Sequence, residues 1–226
     1  MITANTRLVA LLGQPVAHSL SPRMQNAAFA ARGLDWAYVA LDVAPGRLAD
    51  AIRGLAAAGF VGANVTAPHK LAAAELCDEA DAESVNTLVF EDGRVRGTST
   101  DTAVLEGLHP ERPVIIGDGG AARAFKTALQ SSRSYSRRGE WPPDVDDADL
   151  IVNATSVRDV PVVALRVGQT LIDLPYPDSA TAHAARAAGA TVLDGLDVLV
   201  AQGAASFTRW TGVSAPVEVM RAAVRA

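Results

Sequence analysis

Short apolar runs typical of β-strands alternate with amphipathic helical patterns through the first half of the chain. The strand-like runs are Leu8–Leu12, Ala37–Asp42, Gly62–Val65 and Thr87–Phe90, and the helical patterns are Pro22–Arg32, Leu48–Ala58 and Leu71–Ala80. The turn Glu91-Asp92-Gly93-Arg94 predicts a hairpin that joins the fourth run to Val95-Arg96-Gly97. This alternation predicts βαβ units and a largely parallel sheet.

The second half resumes the alternation after a break. A helical pattern over Thr102–Leu108 leads to His109-Pro110-Glu111-Arg112-Pro113, whose prolines make it the best candidate for a hinge. Beyond this break we predict strands at Pro113–Ile116, Leu150–Asn153, Thr170–Asp173 and Thr191–Leu193, and helices over Ala121–Gln130 and Ser179–Ala188. The pattern is that of an α/β protein with a second unit in its C-terminal half.

The stretch Ser131–Asp147 does not fit the alternation. It is polar, carries several arginines and is interrupted by Pro142-Pro143. A crossover between parallel strands needs about a dozen residues or more and is usually helical. The stretch has room for a short strand and an irregular return, but not for a strand and a helix. We therefore expect a second unit that is small for a nucleotide-binding fold.

Composition and charge exclude several classes of function. A chain of 226 residues with a net charge of -5 is not expected to bind nucleic acid or an anionic membrane surface, and no apolar stretch is long enough to span a bilayer. Cys77 is the only cysteine and residues 1–7 show no signal-peptide pattern, so we expect a cytoplasmic protein. The four histidines are scattered without nearby ligands, and we expect no metal site.

Lys70 is a candidate catalytic residue, because it is one of only two lysines in a chain rich in arginine. A lysine can give up a proton near neutral pH when its surroundings are tuned, whereas an arginine in practice cannot. Lys70 also follows a strand-like run and the Pro68 turn, which is a good place to hold a reactive side chain. Taken alone, a solvated surface charge remains the favoured interpretation.

The run Gly117-Asp118-Gly119-Gly120-Ala121-Ala122 satisfies the G-x-G-x-x-A pattern between a predicted strand and a predicted helix. This pattern gives a tight turn, backbone access to a pyrophosphate and a helix N-terminus that attracts an anion. The alternative is an ordinary glycine turn between strand and helix. Asp118 would repel a pyrophosphate unless its side chain points away.

The residues about 20 positions beyond a dinucleotide loop distinguish NAD from NADP, because a carboxylate there binds the ribose and an arginine suits a 2′-phosphate. Here the stretch is Arg133-Ser134-Tyr135-Ser136-Arg137-Arg138, with no carboxylate before Glu140. If a dinucleotide binds, the stretch favours NADP. A solvated basic loop is an equally good interpretation.

Two further motifs place polar side chains beside predicted helices. Ser19 and Ser21 precede the first helix, where Ser21 could be the N-cap with Pro22 at the first helical position. Paired hydroxyls at a helix start are also a good site for a substrate carboxylate. Asp101 follows the predicted hairpin, and it could either hold the ammonium of Lys70 or cap the predicted helix Thr102–Leu108.

Together these motifs resemble those of the shikimate dehydrogenase family, in order and along most of the chain. On the substrate side the matching motifs are His18-Ser19-Leu20-Ser21-Pro22, Asn64-Val65-Thr66-Ala67-Pro68-His69-Lys70, Val85-Asn86-Thr87 and Gly97-Thr98-Ser99-Thr100-Asp101. The remaining matches are Gly117–Ala124, Asn153-Ala154-Thr155-Ser156, Asp173-Leu174-Pro175-Tyr176 and Leu199-Val200-Ala201-Gln202-Gly203, followed by Phe207 and Trp210. Chance agreement of so many ordered motifs is remote.

The resemblance implies a fold and an activity. Residues 1–108 with 195–226 would form an N-terminal α/β substrate-binding and catalytic domain, to which the C-terminal helix returns, and residues 109–194 a reduced Rossmann-like NADP-binding domain. The implied activity is the NADP-dependent interconversion of 3-dehydroshikimate and shikimate in aromatic amino acid biosynthesis. The expected partner is therefore a small molecule, bound by a monomer or a homodimer.

The resemblance also implies roles for single residues. Lys70 would donate a proton to the nascent alkoxide, with Asp101 as its partner, and Ser19 and Ser21 would bind the carboxylate. The residues implied to hold the ring substituents are Thr66, Asn86, Asp101, Tyr176 and Gln202. The residues implied to bind the cofactor are Gly117, Gly119, Gly120, Ala121, Arg137, Thr155 and Gly195.

The chain departs from the family pattern mostly on the cofactor side. The departures are Asp118 for the usual Ala, Ser99 for Asn, Val198 for Met, a shortened helix around Asp78–Ser84, and only a faint echo of the adenosine-binding motif at Tyr135-Ser136-Arg137. They leave a second interpretation open, a homologue that binds a shikimate- or quinate-type ligand with weak or lost dehydrogenase activity. A third is the same lysine and aspartate acting on a different hydroxy or keto acid.

Overall fold

In a computed structural model, which describes residues 2–176 and 178–226, the chain forms two compact units. Unit 1 comprises residues 2–100 with Val200–Ala226, and unit 2 comprises Asp101–Leu199. The units thus divide after residues 100 and 199, whereas the sequence places the domain boundaries after residues 108 and 194. Those domain boundaries stay predictions, and their starting residue, Met1, lies outside the described residues.

Strands and helices alternate along both units. The strands are β1 (Arg7–Gly13), β2 (Trp36–Asp42), β3 (Gly62–Val65), β4 (Glu79–Ala80), β5 (Thr87–Glu91), β6 (Arg94–Thr98), β7 (Pro113–Ile116), β8 (Arg133–Tyr135), β9 (Leu150–Asn153), β10 (Thr170–Asp173) and β11 (Thr191–Leu193). The helices are α1 (Ser21–Ala31), α2 (Leu48–Ala57), α3 (Lys70–Glu75), α4 (Gly120–Ala128), α5 (Ala180–Ala187), α6 (Gly195–Thr211) and α7 (Val217–Arg225), with 3₁₀ turns at Pro45–Arg47 and Ala103–Leu105.

The sheet of unit 1 is mixed, in the order β2-β1-β3-β5-β6-β4. Strands β2, β1 and β3 are parallel to one another, whereas β5 is antiparallel to both β3 and β6. The predicted hairpin between β5 and β6 is present, with φ of 52° at Asp92 and 74° at Gly93, the positive values that its tight turn requires. Strand β6 therefore runs in the direction of β3, and β4 is parallel to β6, so among the described strands of this sheet only β5 is reversed and the expectation of a largely parallel sheet is confirmed.

Both faces of the unit 1 sheet are covered by helices. On one face α2 and α3 contribute Ile52, Leu55 and Ala73 to a core with strand residues such as Leu12 and Leu88. Elsewhere in this unit Phe29 of α1 stacks on Phe207 of α6 at 5.4 Å between ring centroids. The C-terminal helix α7 packs against α1, as the sequence predicts.

Two helices predicted between residues 71 and 108 are wrong in extent. The pattern over Leu71–Ala80 yields a helix only as far as Glu75, because the following residues pair with β6 instead. Asp78 exchanges hydrogen bonds with Val95, through its backbone N–H at 2.8 Å and its carboxylate at 2.7 Å. Thr102–Leu108 holds a single 3₁₀ turn, Ala103–Leu105.

Unit 2 contains a five-stranded parallel sheet in the order β11-β10-β9-β7-β8. Its strand order reverses at β7, whose sequence neighbour β8 lies on one side while β9 lies on the other. This is the Rossmann-like arrangement that the sequence predicts, and ligands of such sheets bind at the carboxyl ends of the strands beside the reversal.

The two irregular connections of unit 2 replace helices on one face of its sheet. Residues 136–149 and 154–169, all of which are described, contain no helix, as predicted for the first of them. Val145, Ala148 and Leu165 from these connections cover that face with buried side chains. The buried Gln169 donates to the carbonyls of Val145 at 2.7 Å and Ala148 at 3.0 Å, which satisfies backbone groups that a helix would have paired internally.

Among the residues that the structure describes, none of the helices has the length and apolar character needed to cross a membrane.

Candidate substrate site and dinucleotide loop

The topology of unit 1 brings its substrate-side motifs to one edge of the sheet. Strands β1 and β3 are parallel, so the segments that follow them both leave from the same edge. Strand β5 is antiparallel to β3, with Thr87 opposite Asn64, so its beginning lies at that edge as well. The end of β6 returns there, with Thr98 opposite Thr87. The serine, lysine and asparagine motifs are therefore neighbours in unit 1.

The segment that ends at Lys70 is held on both sides. The backbone N–H of Thr66 donates to the Leu12 carbonyl at 2.8 Å. Glycine at position 13 leaves room for the Thr66 side chain, since a Cβ there would lie 2.3 Å from the Thr66 methyl. The buried His69 ring donates through Nε2 to the Val43 carbonyl at 2.7 Å. Lys70 then begins α3, and its carbonyl accepts from Val85 at 3.1 Å.

The two serines are arranged differently at the start of α1 from the predicted cap. Ser21 is the first residue of α1 and is buried, and its hydroxyl makes no capping hydrogen bond. Instead the Ser19 hydroxyl accepts from the Ser21 N–H at 3.2 Å. The interpretation of Ser21 as the N-cap is therefore wrong, and Ser19 is the serine that satisfies a backbone donor at this helix start.

Asn86 and Gln202 are brought together although they are far apart in sequence. Asn86 is buried directly before β5, and its Nδ2 donates to Oε1 of Gln202 on α6 at 3.3 Å. The backbone of Asn86 is fixed by Val65, which donates to its carbonyl at 2.8 Å, and by Thr98, which accepts from its N–H at 3.1 Å. Both side chains are thus held at the edge to which the other motifs come.

Asp101 and Tyr176 belong to unit 2. Asp101 is its first residue, and the 3₁₀ turn that follows has Thr102 as its N-cap and no side-chain capping hydrogen bond. The interpretation of Asp101 as a helix cap is therefore wrong. Tyr176 lies in the loop that follows β10.

The glycine-rich loop lies at the strand-order reversal of unit 2. Gly117 has a φ of 133°, and a Cβ on it would lie 2.8 Å from the carbonyl of Ala154, so only glycine fits between the loops after β7 and β9. Gly119 is the N-cap of α4 without a side-chain capping bond, and a Cβ on it would have no atom within 4 Å. The start of α4 thus offers backbone N–H groups and open space, which suits the pyrophosphate of a dinucleotide.

The negative charge of Asp118 has a local counterion. The Arg138 guanidinium lies 3.5 Å from its carboxylate, and both side chains are exposed. An exposed pair of this kind is weak. It nevertheless reduces the repulsion of a pyrophosphate that Asp118 alone would cause, and it brings a cation of the basic stretch to the glycine loop.

The other arginines of the basic stretch are also engaged. Arg133 binds the carboxylates of Asp144 and Asp147. The Arg137 guanidinium lies 5.6 Å from the centre of the Trp141 ring, a cation–π contact. The stretch therefore carries partly or fully exposed arginines that each have a local acidic or aromatic partner.

A buried carboxylate organises the loops after β9 and β10. Asp173 is fully buried and accepts from Asn153 Nδ2 at 2.7 Å and from the Ser179 hydroxyl at 2.6 Å. Asn153 Oδ1 in turn accepts from the Thr155 hydroxyl at 2.8 Å. Burial raises the pKa of Asp173 above its usual value, although these two hydrogen bonds act in the opposite direction. Thr155 is held in place by this network.

Gly195 permits a close backbone approach at the start of α6. A Cβ at this position would lie 2.4 Å from the carbonyl of Pro175 and 2.8 Å from that of Leu174. The preceding Asp194 and the following Asp197 accept from each other's backbone N–H at 3.2 and 3.1 Å, which caps the helix. Asp197, adjacent to the departure at Val198, thus has a structural role.

Several supporting residues are absent from the sequence-based site. They are Asn64, Thr87, Thr100 and Ser206 in unit 1, and Asn153, Asp173 and Ser179 in unit 2. Those that lie within the motifs of the resemblance, which gave them no role, are Asn64, Thr87, Thr100, Asn153 and Asp173. Of the other two, Ser206 lies one helical turn after Gln202. Among the described residues, no group of three or more His, Cys, Asp or Glu side chains could hold a metal ion.

Comparison with known proteins gives matches over the whole chain. The family model of the shikimate dehydrogenase substrate binding domain matches residues 11–88, and that of the shikimate 5′-dehydrogenase C-terminal domain matches residues 195–225. The chain is 40% identical to the shikimate dehydrogenase (NADP(+)) of Methanopyrus kandleri, over 99% of this chain and 96% of that protein.

Solved structures are similar to a comparable degree. A shikimate dehydrogenase in complex with NADP+ has 34% sequence identity and a TM-score of 0.90, covering 100% of this chain and 96% of the other. The Thermus thermophilus shikimate 5-dehydrogenase, in complex with NADP(H) and shikimate, has 30% identity and a TM-score of 0.88, covering 97% of this chain and 99% of the other.

The alignment with the Methanopyrus kandleri protein shows by how much this chain is shorter than its relative. It spans 279 positions against a chain of 226 residues, so at least 53 positions (279 minus 226) have no counterpart here. The irregular connections of unit 2 are structural evidence of such a reduction.

Proposed function

The chain belongs to the shikimate dehydrogenase family, and on this premise we propose that it interconverts shikimate and 3-dehydroshikimate with NADP(H). The observation that carries the proposal is the 40% identity to a shikimate dehydrogenase (NADP(+)) over 99% of this chain. The ordered motifs of unit 1, which converge on one sheet edge, support the same function.

The proposed reaction needs one proton transfer by the protein. NADP(H), when bound, would supply the hydride acceptor or donor. During oxidation of shikimate, Lys70 Nζ takes the proton of the hydroxyl whose carbon loses the hydride. During reduction its ammonium returns a proton to the alkoxide oxygen and stabilises that charge as it forms. Asp101 is proposed as the partner that keeps Lys70 in the required protonation state.

The remaining substrate contacts are proposed from the motifs. Ser19 and Ser21 bind the carboxylate, near the N-terminus of α1. Thr66, Asn86, Tyr176 and Gln202 hold the ring substituents. The contact between Asn86 and Gln202 supports a shared role for these two amides.

The residues of unit 2 fit a dinucleotide, as the open space at Gly119 and the uncapped start of α4 indicate. Gly117, Gly119, Gly120 and Ala121 are proposed to admit the pyrophosphate. Arg137 is proposed to bind the adenosine end. Thr155 and Gly195 are proposed to border the cofactor from the loops after β9 and β11.

A second candidate function is a binding protein for a shikimate- or quinate-type acid with weak or lost dehydrogenase activity. The shortening by at least 53 aligned positions favours it, as do the local partners that the basic stretch arginines already have. In this case unit 1 would still bind the acid, but NADPH would bind weakly.

Titration of the purified protein with NADPH, with and without shikimate, distinguishes the two candidates. The enzyme is expected to bind NADPH with a micromolar dissociation constant and to reduce NADP+ when shikimate is added. Shikimate binding without measurable NADPH binding or turnover would favour the second candidate. Turnover of quinate but not of shikimate would assign a different acid to the same site.

The setting of the enzyme is also a proposal. The single cysteine and the acidic net charge support a cytoplasmic enzyme with a small-molecule substrate and no nucleic-acid partner. A monomer and a homodimer are both compatible with this function, and sedimentation of the purified protein would distinguish them.

A further inference from the structure

A buried cluster of neutral polar side chains lies behind Asn86 in unit 1. We call it the hydroxyl cluster, and it consists of Asn64, Thr87, Thr100 and Ser206, each at most 4% exposed. The Thr87 hydroxyl is its centre, with the Ser206 hydroxyl at 2.8 Å, Asn64 Nδ2 at 3.1 Å and the Thr100 hydroxyl at 3.3 Å. The cluster joins strands β3 and β5 to helix α6.

The cluster determines which end of the Asn86 amide points inward. Asn86 Oδ1 accepts from the Thr87 hydroxyl at 3.0 Å, from the Thr100 hydroxyl at 3.0 Å and from the Thr100 N–H at 2.8 Å. Turning the amide over would place its NH₂ group against the Thr100 N–H, a donor against a donor. The oxygen of Asn86 therefore faces the cluster, and its NH₂ group faces Gln202.

The orientation of the Asn86 amide determines that of the Gln202 amide through one hydrogen bond. Asn86 Nδ2 donates to Oε1 of Gln202, so the glutamine oxygen faces Asn86 and its NH₂ group points the other way. The Ser206 hydroxyl lies 2.8 Å from the Thr87 hydroxyl and 2.9 Å from the Gln202 carbonyl, so its single hydrogen is donated to one or the other of these acceptors. The Thr100 N–H thus determines the direction of both amides, and the hydroxyls of Thr87 and Thr100 add the hydrogen bonds that hold Asn86 in it.

The cluster is itself anchored. The Tyr38 hydroxyl donates to Asn64 Oδ1 at 2.8 Å, which commits the Asn64 NH₂ group to the cluster and to the Asn86 carbonyl at 2.9 Å. Because every member is neutral and buried, the arrangement does not depend on pH in the range where carboxylates and histidines titrate.

We propose that Thr87 is a positioning residue for substrate binding, which through the hydroxyl cluster fixes Asn86 and Gln202 so that both present NH₂ donors to the oxygens of the substrate ring. The proposal rests on the proposed function and specifies its recognition chemistry: the substrate-side oxygens that face these amides act as hydrogen-bond acceptors. Thr87 itself has no role in the proton transfer.

The test compares Thr87→Val, which keeps the shape and removes the hydroxyl, with Thr87→Ser, which keeps the hydroxyl. Shikimate affinity is measured by calorimetry without cofactor, and KM and kcat are measured in the full reaction, all well below the melting temperature of each variant. We expect Thr87→Val to raise the dissociation constant and KM for shikimate about tenfold, the size of one lost hydrogen bond, with kcat within about twofold. Thr87→Ser should restore most of the affinity. Thr208→Ala, which removes an exposed hydroxyl from the same helix α6, is the control.

The outcomes separate this inference from the proposed function. A wild-type protein that neither binds nor oxidises shikimate contradicts the proposed function and the inference together. A wild-type protein that does both, with a Thr87→Val variant that melts earlier but binds shikimate equally well, contradicts the inference alone. If Thr87→Val does not fold, Ser206→Ala takes its place, and it should raise the dissociation constant about threefold. Unchanged affinity in that variant would equally contradict the inference.

Discussion

The two units satisfy their buried polar groups in different ways. Unit 1 surrounds Asn86 with neutral hydroxyls and amides, whereas unit 2 holds its loops with Asp173 and with the aspartates that cap α6. A neutral cluster carries no ionisation penalty, but every member needs a partner. A buried carboxylate accepts several hydrogen bonds at once, at the cost of removing a charge from water. Unit 1 is thus organised around fixed donor and acceptor directions, and unit 2 around charge.

The units differ in their connections as well. The parallel strands of unit 1 are joined through the helices α1 and α2, which bury apolar side chains such as Phe29 and Ile52. In unit 2, α4 joins β7 to β8 and α5 joins β10 to β11. The other two connections, residues 136–149 and 154–169, join their strands without a helix. A shortened chain can therefore retain a sheet and the loops at its strand ends without helices in every connection. The proposed substrate residues lie mainly in the fully built unit and the proposed cofactor residues in the reduced one.

The largest expected effect tests the chemistry assigned to unit 1. Lys70→Ala should lower kcat about a thousandfold, because the proton transfer loses its acid and base, and should leave the shikimate dissociation constant nearly unchanged, because Ser19 and Ser21 remain. Steady-state kinetics and calorimetry check both parts. Lys126→Ala, which removes the only other lysine, is the control. Lost binding with unchanged turnover would contradict the role of Lys70.

A pair of glycine substitutions separates folding from cofactor binding in unit 2. Gly195→Ala should cost about 2 to 3 kcal/mol of unfolding free energy, because its Cβ would collide with two backbone carbonyls. Gly119→Ala should leave stability nearly unchanged, since its Cβ meets open space, but should weaken NADPH binding about tenfold by obstructing the pyrophosphate. Urea unfolding and NADPH titration measure the two effects. If Gly119→Ala and wild type bind NADPH equally well, the assignment of the glycine loop to pyrophosphate binding is wrong.

The contribution of the buried Asp173 to the stability of unit 2 can be tested by varying the pH. Its pKa is raised in the folded protein from the usual 3.8, so the unfolded carboxyl ionises first as the pH rises, and the contribution of this group to stability falls through the range above 3.8. Asp173→Asn removes this dependence and should cost about 1 kcal/mol through weakened hydrogen bonds.

The free energy of unfolding that Asp173→Asn loses relative to wild type should be larger at about pH 4 than at about pH 7. Urea unfolding at both pH values measures it, with the exposed Asp159→Asn as the control. A loss that grows towards neutral pH would show that burial does not dominate the pKa of Asp173.

The smallest expected effect concerns Asp118. Asp118→Ala removes a negative charge beside the glycine loop and releases Arg138, so NADPH should bind about two- to threefold more tightly at low salt, and less so at high salt. Asp50→Ala is a matched control, since Asp50 is also an exposed aspartate paired with arginines, but on α2 of unit 1. An unchanged NADPH dissociation constant would mean that the Asp118 side chain does not face the phosphates.

Four strands of unit 2 could be predicted to the residue, whereas β8 was expected only as a short strand without bounds. Pro113–Ile116, Leu150–Asn153, Thr170–Asp173 and Thr191–Leu193 begin and end as their apolar runs do, because a short buried strand is defined by the polar residues on either side of it. The reduced connection after β8 was predictable from its length and prolines. The motif resemblance predicted the family and the α/β fold.

Other features depend on partners that are distant in sequence. The helix predicted over Leu71–Ala80 ends early because residues 78–81 find hydrogen bonds on β6, which local propensity does not record. Ser206 meets Asn64 across 142 positions, so the hydroxyl cluster follows only from the packed fold. The roles of the individual site residues stay predictions, since they depend on ligands.

Gln169 has a consequence for the design of small nucleotide-binding proteins. One buried amide donates to the carbonyls of Val145 and Ala148, two backbone acceptors of a connection that has no helix to pair them. A shorter Rossmann-like scaffold could therefore be engineered by removing a crossover helix and adding a single well-placed glutamine. In such a scaffold, loss of that glutamine would remove one hydrogen-bond donor from each of the two carbonyls.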